Sequence, residues 1–124
     1  MNPCAREIEW AGGRHTFCLN EPKVLAIMAG ASGAPRCARV KSGVLELPTI
    51  VPAAAFKRFQ DDAYTVADIE HVILYGLWGG GLSLSAADEL VAQHVRGQPL
   101  GASAMVAFEV IAALFIGDAD GAAA

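Results

Sequence analysis

The chain has 124 residues, of which 54% are hydrophobic, and a formal net charge of -4 at pH 7. A chain of this length is most simply one domain, residues 1–124, that buries a core without metal or disulfide support. The nine Lys and Arg residues are spread along the chain, which argues against a nucleic-acid-binding protein. A mean hydropathy of +0.40 predicts apolar surface that needs a protein partner.

Neither a membrane span nor a secretory signal is predicted. The most apolar run, Leu100 to Ile116, contains Glu109 and is shorter than the roughly 20 residues that a bilayer requires. The first residues lack a basic segment followed by an apolar one, so we expect a cytoplasmic protein. Three cysteines without a Cys-x-x-Cys pair fit reduced thiols in that compartment.

Residues 6–19 are predicted to form a β-hairpin. Two alternating segments, Arg6–Trp10 and Arg14–Leu19, flank Ala11-Gly12-Gly13, where adjacent glycines would supply the positive φ angles of a tight turn. Four apolar side chains would then share one face of the hairpin: Ile8, Trp10, Phe17 and Leu19.

The middle of the chain is more irregular. Asn20-Glu21-Pro22 predicts the start of a helix that ends at Gly30. Residues 31–52 contain several Gly and Pro residues and are interpreted as an insertion loop with a possible second hairpin at Ser42-Gly43. Three basic residues in this segment suggest a mobile arm or a separate contact element: Arg36, Arg39 and Lys41.

Residues 53–117 are predicted to form a helical bundle. A short helix follows Pro52, and Thr65 to Asp68 is typical of the capping box that opens the next one. Its apolar run ends in glycines that we interpret as a structural turn: Gly76, Gly79, Gly80 and Gly81. The chain then restarts as a helix with Ser85 as its expected cap, Leu90, Val91 and Val95 inward, and Asp88, Glu89, Gln93 and Arg96 outward.

The last helix is predicted from Pro99 to a stop at Gly117. Its expected inward stripe is Leu100, Ala104, Ala107, Phe108, Ile111, Leu114 and Phe115. Val106, Val110 and Ile116 lie outside that stripe, so the helix is apolar nearly all round. Residues 118–124 are expected to be a flexible tail. The predicted fold class is therefore mainly α with a small N-terminal β-hairpin (α+β), a compact bundle of four to five short helices.

No catalytic, metal or cofactor site is predicted. The glycine segment lacks the Lys-Ser/Thr of a phosphate-binding loop, and no Gly-x-Ser-x-Gly elbow supports a triad of Ser83 or Ser85 with a histidine and Asp88. The three histidines are not spaced as paired metal ligands on a helix.

The aromatic and surplus apolar residues are instead interpreted as a partner interface. Trp and Tyr dominate the energetics of protein contacts, and a large ring beside glycines at a helix end is hard to bury completely. The predicted interface residues are Tyr75, Leu77, Trp78, Val106, Val110 and Ile116.

The order of these parts resembles a known family. The segment from Asp68-Ile69 to Gly79-Gly80-Gly81, followed by Ser85-Ala86-Ala87 and Pro99-Leu100, is similar to the small tail assembly chaperones of gene transfer agents and tailed phages, also described as tail tube components. The resemblance covers residues 8–28 loosely and 56–117 more tightly, and the chain departs from it at residues 31–52.

The resemblance implies a non-enzymatic tail assembly chaperone. Such a protein would bind the tape measure protein, or another tail protein, in the host cytoplasm during particle assembly. The alternative is a structural subunit of the tail tube that self-associates in a ring. Either function predicts a homo-oligomer without nucleic-acid or membrane partners.

Overall fold

The fold is a small helical bundle that carries two β-hairpins. The computed structural model describes residues 2–117, and the predicted tail at residues 118–124 lies outside the described residues. In chain order the elements are β1 (Arg6–Trp10), β2 (Gly13–Phe17), α1 (Pro22–Met28), β3 (Cys37–Val40), β4 (Gly43–Glu46), α2 (Pro52–Gln60), α3 (Val66–Gly79), α4 (Leu84–His94) and α5 (Gly101–Ile116). The predicted α+β class, mainly α with an N-terminal hairpin, is confirmed.

The N-terminal hairpin covers one side of the bundle. Antiparallel pairing runs from Arg6 opposite Phe17 to Trp10 opposite Gly13. The turn therefore consists of Ala11 and Gly12, with φ angles of 56° and 76°, as in a two-residue turn with both central residues left-handed. Gly13 belongs to the strand, so the turn lies one residue earlier than the two glycines predicted. The predicted apolar face is largely buried, at Trp10, Phe17 and Leu19.

A second hairpin is present within residues 31–52. β3 and β4 pair from Cys37 opposite Glu46 to Val40 opposite Gly43, and Lys41-Ser42 forms the turn. We call residues 31–50 the arm. Because side chains alternate along a strand, Val40 and Leu45 face the bundle, whereas Arg39 and Val44 are exposed on the outer face.

α3 is the central helix of the fold. It contacts β2, α1, α4 and α5, and its side chains Ile69, Ile73 and Leu77 are fully buried. The predicted capping box is confirmed at its start: the Asp68 amide donates to the Thr65 hydroxyl oxygen and the Thr65 amide donates to the Asp68 carboxylate, both at 3.0 Å.

Of the glycines predicted to form a turn, Gly80 and Gly81 do so, whereas Gly76 and Gly79 lie within α3. α3 continues through Gly76 and ends at Gly79, and the next residue, Gly80, still has a right-handed φ of -81°. Only Gly81, with a φ of 119°, adopts a conformation that favours glycine. The predicted stop, turn and restart are therefore found, with the helix ending at Gly79, the turn at Gly80 and Gly81, and the next helix starting at Leu84.

Three of these glycines allow the end of β2 to lie against α3. A Cβ atom on Gly79 would overlap the carbonyl oxygen of Cys18, and one on Gly80 would overlap that of Thr16. At Gly76 a Cβ would lie 3.0 Å from a methyl group of Val110. The glycines are thus required for close packing of strand on helix rather than for a reversal of the chain.

α4 begins with a different cap from the one predicted, and one of its acidic residues is buried. The Ala86 amide donates to the hydroxyl oxygen of Ser83, so Ser83 rather than Ser85 is the cap. Asp88, predicted on the outer face, is only 5% exposed because it lies under the arm. There it accepts a hydrogen bond of 2.9 Å from the Ser42 hydroxyl.

α5 begins two residues after Pro99 and ends before Gly117, as predicted. It packs on α3, α2 and β1. Neither α5 nor any other helix within residues 2–117 is long and apolar enough to cross a membrane.

Candidate interaction surface

α5 has a buried face and an exposed face, and both are apolar. The buried side chains are Ser103, Ala104, Val106, Ala107, Val110, Ile111 and Ala113. On the opposite face Met105 is 76% exposed, Phe115 48% and Ile116 57%. An apolar helix face of this kind, open to solvent, is typical of a protein contact site.

The predicted inward stripe of α5 was only partly right, since Ala104, Ala107 and Ile111 are buried but the stripe as a whole was rotated away from the buried face. It included Phe108 and Phe115, which are 38% and 48% exposed, and it left out Val106 and Val110, which are buried. Hydropathy does not separate the two faces because both are apolar. On the buried face Val110 packs beside Gly76, where a Cβ atom would lie 3.0 Å from a Val110 methyl group.

An aromatic cluster extends this exposed face onto α2. The ring of Phe56 stacks on that of Phe115 with a centroid distance of 5.0 Å and lies 6.1 Å from that of Phe108. Phe59, which is fully buried, connects the cluster to the core by stacking on Phe108 and Tyr64. The exposed rings are thereby held in place by packing from below.

We call this region the α2–α5 surface. Its members are Phe56, Met105, Phe108, Glu109, Phe115 and Ile116. Glu109 is its only ionisable residue, and it makes no ion pair with the described residues. Residues 105, 108, 112 and 116 recur at helical spacing, so the sequence contained a second apolar stripe that could have indicated this surface.

Four of the six predicted interface residues lie inside the protein. Tyr75, Leu77, Val106 and Val110 are all buried in the core. The hydroxyl of Tyr75 donates a hydrogen bond of 2.6 Å to the carbonyl oxygen of Pro48, and burial raises the pKa of this phenol. These side chains support the fold, and none of them is available to a partner in this conformation.

The other two predicted residues reach the surface at separate places. Trp78 is half-buried at the end of α3, and the ammonium group of Lys23 lies 5.0 Å from the centre of its ring. Such a cation–π contact occupies one face of the indole. Ile116 is exposed at the end of α5. Of the predicted set, only Ile116 belongs to the α2–α5 surface.

The outer face of the arm carries arginine side chains. Arg36 and Arg39 are exposed, and Val44, the cross-strand neighbour of Arg39, is 67% exposed. Lys41 at the tip is also exposed, but its ammonium group lies 3.9 Å from the carboxylate of Glu89 on α4. The arm has one acidic residue, Glu46.

Polar contacts fasten the tip of the arm to α4. The Lys41 amide donates to the Ser85 hydroxyl oxygen at 3.1 Å, and the Ser42 hydroxyl donates to Asp88. The guanidinium group of Arg96 lies 3.8 Å from the Asp88 carboxylate and 2.8 Å from the Glu70 carboxylate. The arm therefore has a defined position on the bundle, with its basic outer face turned away from it.

Besides Tyr75, two further ionisable groups on α3 have shifted pKa values. The hydrogen bond from Arg58 to Asp68 lowers the pKa of that carboxyl. Burial lowers the pKa of His71, which favours its neutral form, although Glu70 and Asp68 oppose the effect. Neither Asp68 nor His71 is paired with a nucleophilic side chain, and the contacts of both are structural.

The residues considered for a hydrolytic triad are used in other contacts. Ser83 caps α4, Ser85 binds the arm, and the ring of His94 packs 5.8 Å from that of Trp10. Among residues 2–117, no group of three or more His, Cys, Asp or Glu side chains is placed to hold a metal ion.

Residues 4–117 match the model of a protein family described as phage tail tube protein, GTA-gp10. The matched range includes every helix and strand described above. The chain belongs to this tail tube protein family. Neither the curated proteins nor the solved structures gave a significant match.

Membership confirms the resemblance to a gene transfer agent and phage tail family. Proteins of a tail tube family interact with other tail proteins. The family description favours the alternative given above, a structural tail component, over a chaperone. The tape measure protein as a partner stays a prediction.

Proposed function

We propose that this protein is a non-enzymatic structural subunit of a phage-like tail that self-associates through the α2–α5 surface. The observation that carries the proposal is the family match to residues 4–117. A tube is built from many copies of a subunit, so each copy must present surface to its neighbours.

The α2–α5 surface supplies such a contact. Met105, Phe108 and Phe115 are exposed together on a rigid helix, and Phe56 and Phe59 hold the rings from below. Burying exposed apolar side chains in a contact contributes about 25 cal/mol per Å², and aromatic anchors at its centre contribute most. Little ordering is needed on binding because the rings are already packed.

Quantitative mass spectrometry of purified particles tests this proposal. A structural subunit is present at a fixed copy number relative to the other tail proteins. Particles purified in the same way from cells that express the Met105→Ser variant should contain fewer copies of this subunit, because serine removes an apolar contact without disturbing the core. Absence of the wild-type protein from finished particles would overturn the proposal.

A second candidate is the tail assembly chaperone that binds the tape measure protein. The feature that favours it is the spacing of Met105, Phe108 and Ile116 along one helix, since such a stripe fits an amphipathic partner helix. A chaperone is absent from finished particles and co-purifies with the tape measure protein from cells. The same mass spectrometry therefore separates the two candidates.

A further inference from the structure

The distribution of charge divides the molecule into a basic arm and an acidic remainder. Residues 31–50 contain Arg36, Arg39 and Lys41 against Glu46, a net charge of +2. The whole chain has a net charge of -4, so the remainder carries -4 minus +2, which is -6. Opposite charges on separate parts of one subunit favour contact between the arm of one copy and the body of another.

The outer face of the arm has the features of a contact ribbon. Arg39 and Val44 are directly opposite each other in the hairpin, and both are exposed. The side chains of Arg36 and Arg39 make no ion pair or hydrogen bond within residues 2–117. The ribbon thus presents an apolar side chain next to a guanidinium group that has no partner among the described residues of its own chain.

The α2–α5 surface has a pair of residues, Glu109 and Met105, that is complementary to Arg39 and Val44. Glu109, also without an ion-pair partner among the described residues, lies one helical turn after Met105. Side chains one turn apart on a helix have Cβ atoms about 5–6 Å apart, and directly opposed residues in a hairpin about 4.5–5.5 Å. The separation of Arg39 from Val44 therefore matches that of Glu109 from Met105.

We propose that the arm of one copy docks on the α2–α5 surface of the next, with Val44 against Met105 and Phe108 and with Arg39 paired to Glu109. The inference rests on the proposed function and specifies its contact. The occupant of the surface is thus the β3–β4 ribbon of a second copy of this chain.

A head-to-tail contact of this kind differs from a symmetric dimer in which two α5 helices pair. Symmetric pairing of the surface would bring two Glu109 carboxylates together without a cation, which is unfavourable when they are removed from water. In the head-to-tail contact each Glu109 meets an arginine. Because the two contacting regions are different, one end of an open chain of copies keeps a free arm and the other end keeps a free α2–α5 surface, so copies add until a ring closes or a filament grows.

Cysteine cross-linking distinguishes the two arrangements. In a Cys37→Ser background, where Cys4 and Cys18 are buried, one sample of chains carries Val44→Cys and a second carries Met105→Cys. Head-to-tail docking predicts a disulfide-linked pair when the two samples are mixed and oxidised, and little when either is oxidised alone. Cross-linking of Met105→Cys with itself, or no cross-link in the mixture, would overturn the inference.

Charge reversal gives an independent test by sedimentation. Arg39→Glu and Glu109→Arg are each expected to weaken self-association about tenfold, and the double variant is expected to recover most of the loss. Arg14→Glu is the matched control, because it makes the same change of net charge on the N-terminal hairpin and should have little effect. Equal effects of Arg39→Glu and Arg14→Glu, or no recovery in the double variant, would count against the pairing.

The two proposals fail in different ways. If the cross-link does not form but the protein is found in particles at fixed copy number, the subunit uses another contact and the proposed function stands. If the protein is absent from particles, the structural function fails whatever the cross-link shows.

Discussion

The backbone amide of Cys18 donates a hydrogen bond of 2.9 Å to the carbonyl oxygen of Gly76, which joins the end of β2 to the last turn of α3. An amide of a strand and a carbonyl of a helix approach this closely only where the helix has no side chains in between. The neighbouring Gly79 and Gly80 meet that condition, so the hairpin and the central helix form one packed unit.

Gly79→Ala should destabilise the fold strongly. The added methyl group would overlap the carbonyl oxygen of Cys18, and backbone cannot move aside as a flexible side chain does. We expect a loss of about 2 kcal/mol or more in the free energy of unfolding, measured by urea denaturation. Gly101→Ala is the control, since a Cβ there meets no atom within 4 Å, and it should be nearly neutral. Equal stability of the two variants would contradict the packing role of Gly79.

Tyr75→Phe should loosen the arm where it joins α2. The substitution removes the hydroxyl that donates to the Pro48 carbonyl and leaves that partly buried acceptor without its partner. The expected loss is about 1–2 kcal/mol in the free energy of unfolding, together with faster amide hydrogen exchange in residues 43–50. Tyr64→Phe is the control, because no hydrogen bond of the Tyr64 hydroxyl is found within residues 2–117. Exchange that is unchanged by Tyr75→Phe would show that the bond does not position the arm.

Met105→Ser should lower self-association without lowering the melting temperature. Met105 is 76% exposed, so its replacement removes contact area from the α2–α5 surface and leaves the core intact. Light scattering at micromolar concentration measures the change. Val66→Ser is the comparison, since Val66 is 45% exposed on α3 outside that surface. If both substitutions reduce the average molecular mass in solution equally, the change results from lower general hydrophobicity and not from loss of the α2–α5 surface.

The contact between Arg58 and Asp68 should make stability depend on pH in the acid range. The hydrogen bond from Arg58 lowers the pKa of Asp68 below its ordinary value of 3.8. The stabilisation is therefore present above pH 3.8 and is lost as the pH falls through the lower pKa of the folded state. Asp68→Asn should cost about 1 kcal/mol at pH 7, and the difference from wild type should shrink on acidification. A difference that stays constant down to pH 2 would contradict this assignment.

The local signals of the sequence located most elements correctly. Alternation in residues 6–19, the capping box at Thr65 and the stop at Gly117 depend on neighbouring residues only, and each is found close to its predicted place. The hairpin turn lies one residue earlier than predicted because Ala11 adopts a positive φ angle. The sequence favoured the later position, since glycine adopts such an angle more easily than alanine.

The features that could not be predicted depend on contacts between distant parts of the chain. Glycines at a helix end are compatible with a turn or with close packing, and only the position of β2 decides between them. Asp88 was predicted outside because it is charged, yet the arm covers it and the Ser42 hydroxyl binds it. The candidate surface was misplaced for a related reason, since α5 is apolar on both faces and only its packing against α3 shows that the face with Val110 is buried.

The N-terminal segment is tied to the end of α5. The guanidinium group of Arg6 donates a hydrogen bond to the Gly117 carbonyl oxygen, and the Cys4 thiol lies 3.9 Å from the Leu114 carbonyl oxygen. Residues 4 and 117 are therefore close enough for a short engineered linker to join them, and the exposed Lys41-Ser42 turn offers a place to open the chain.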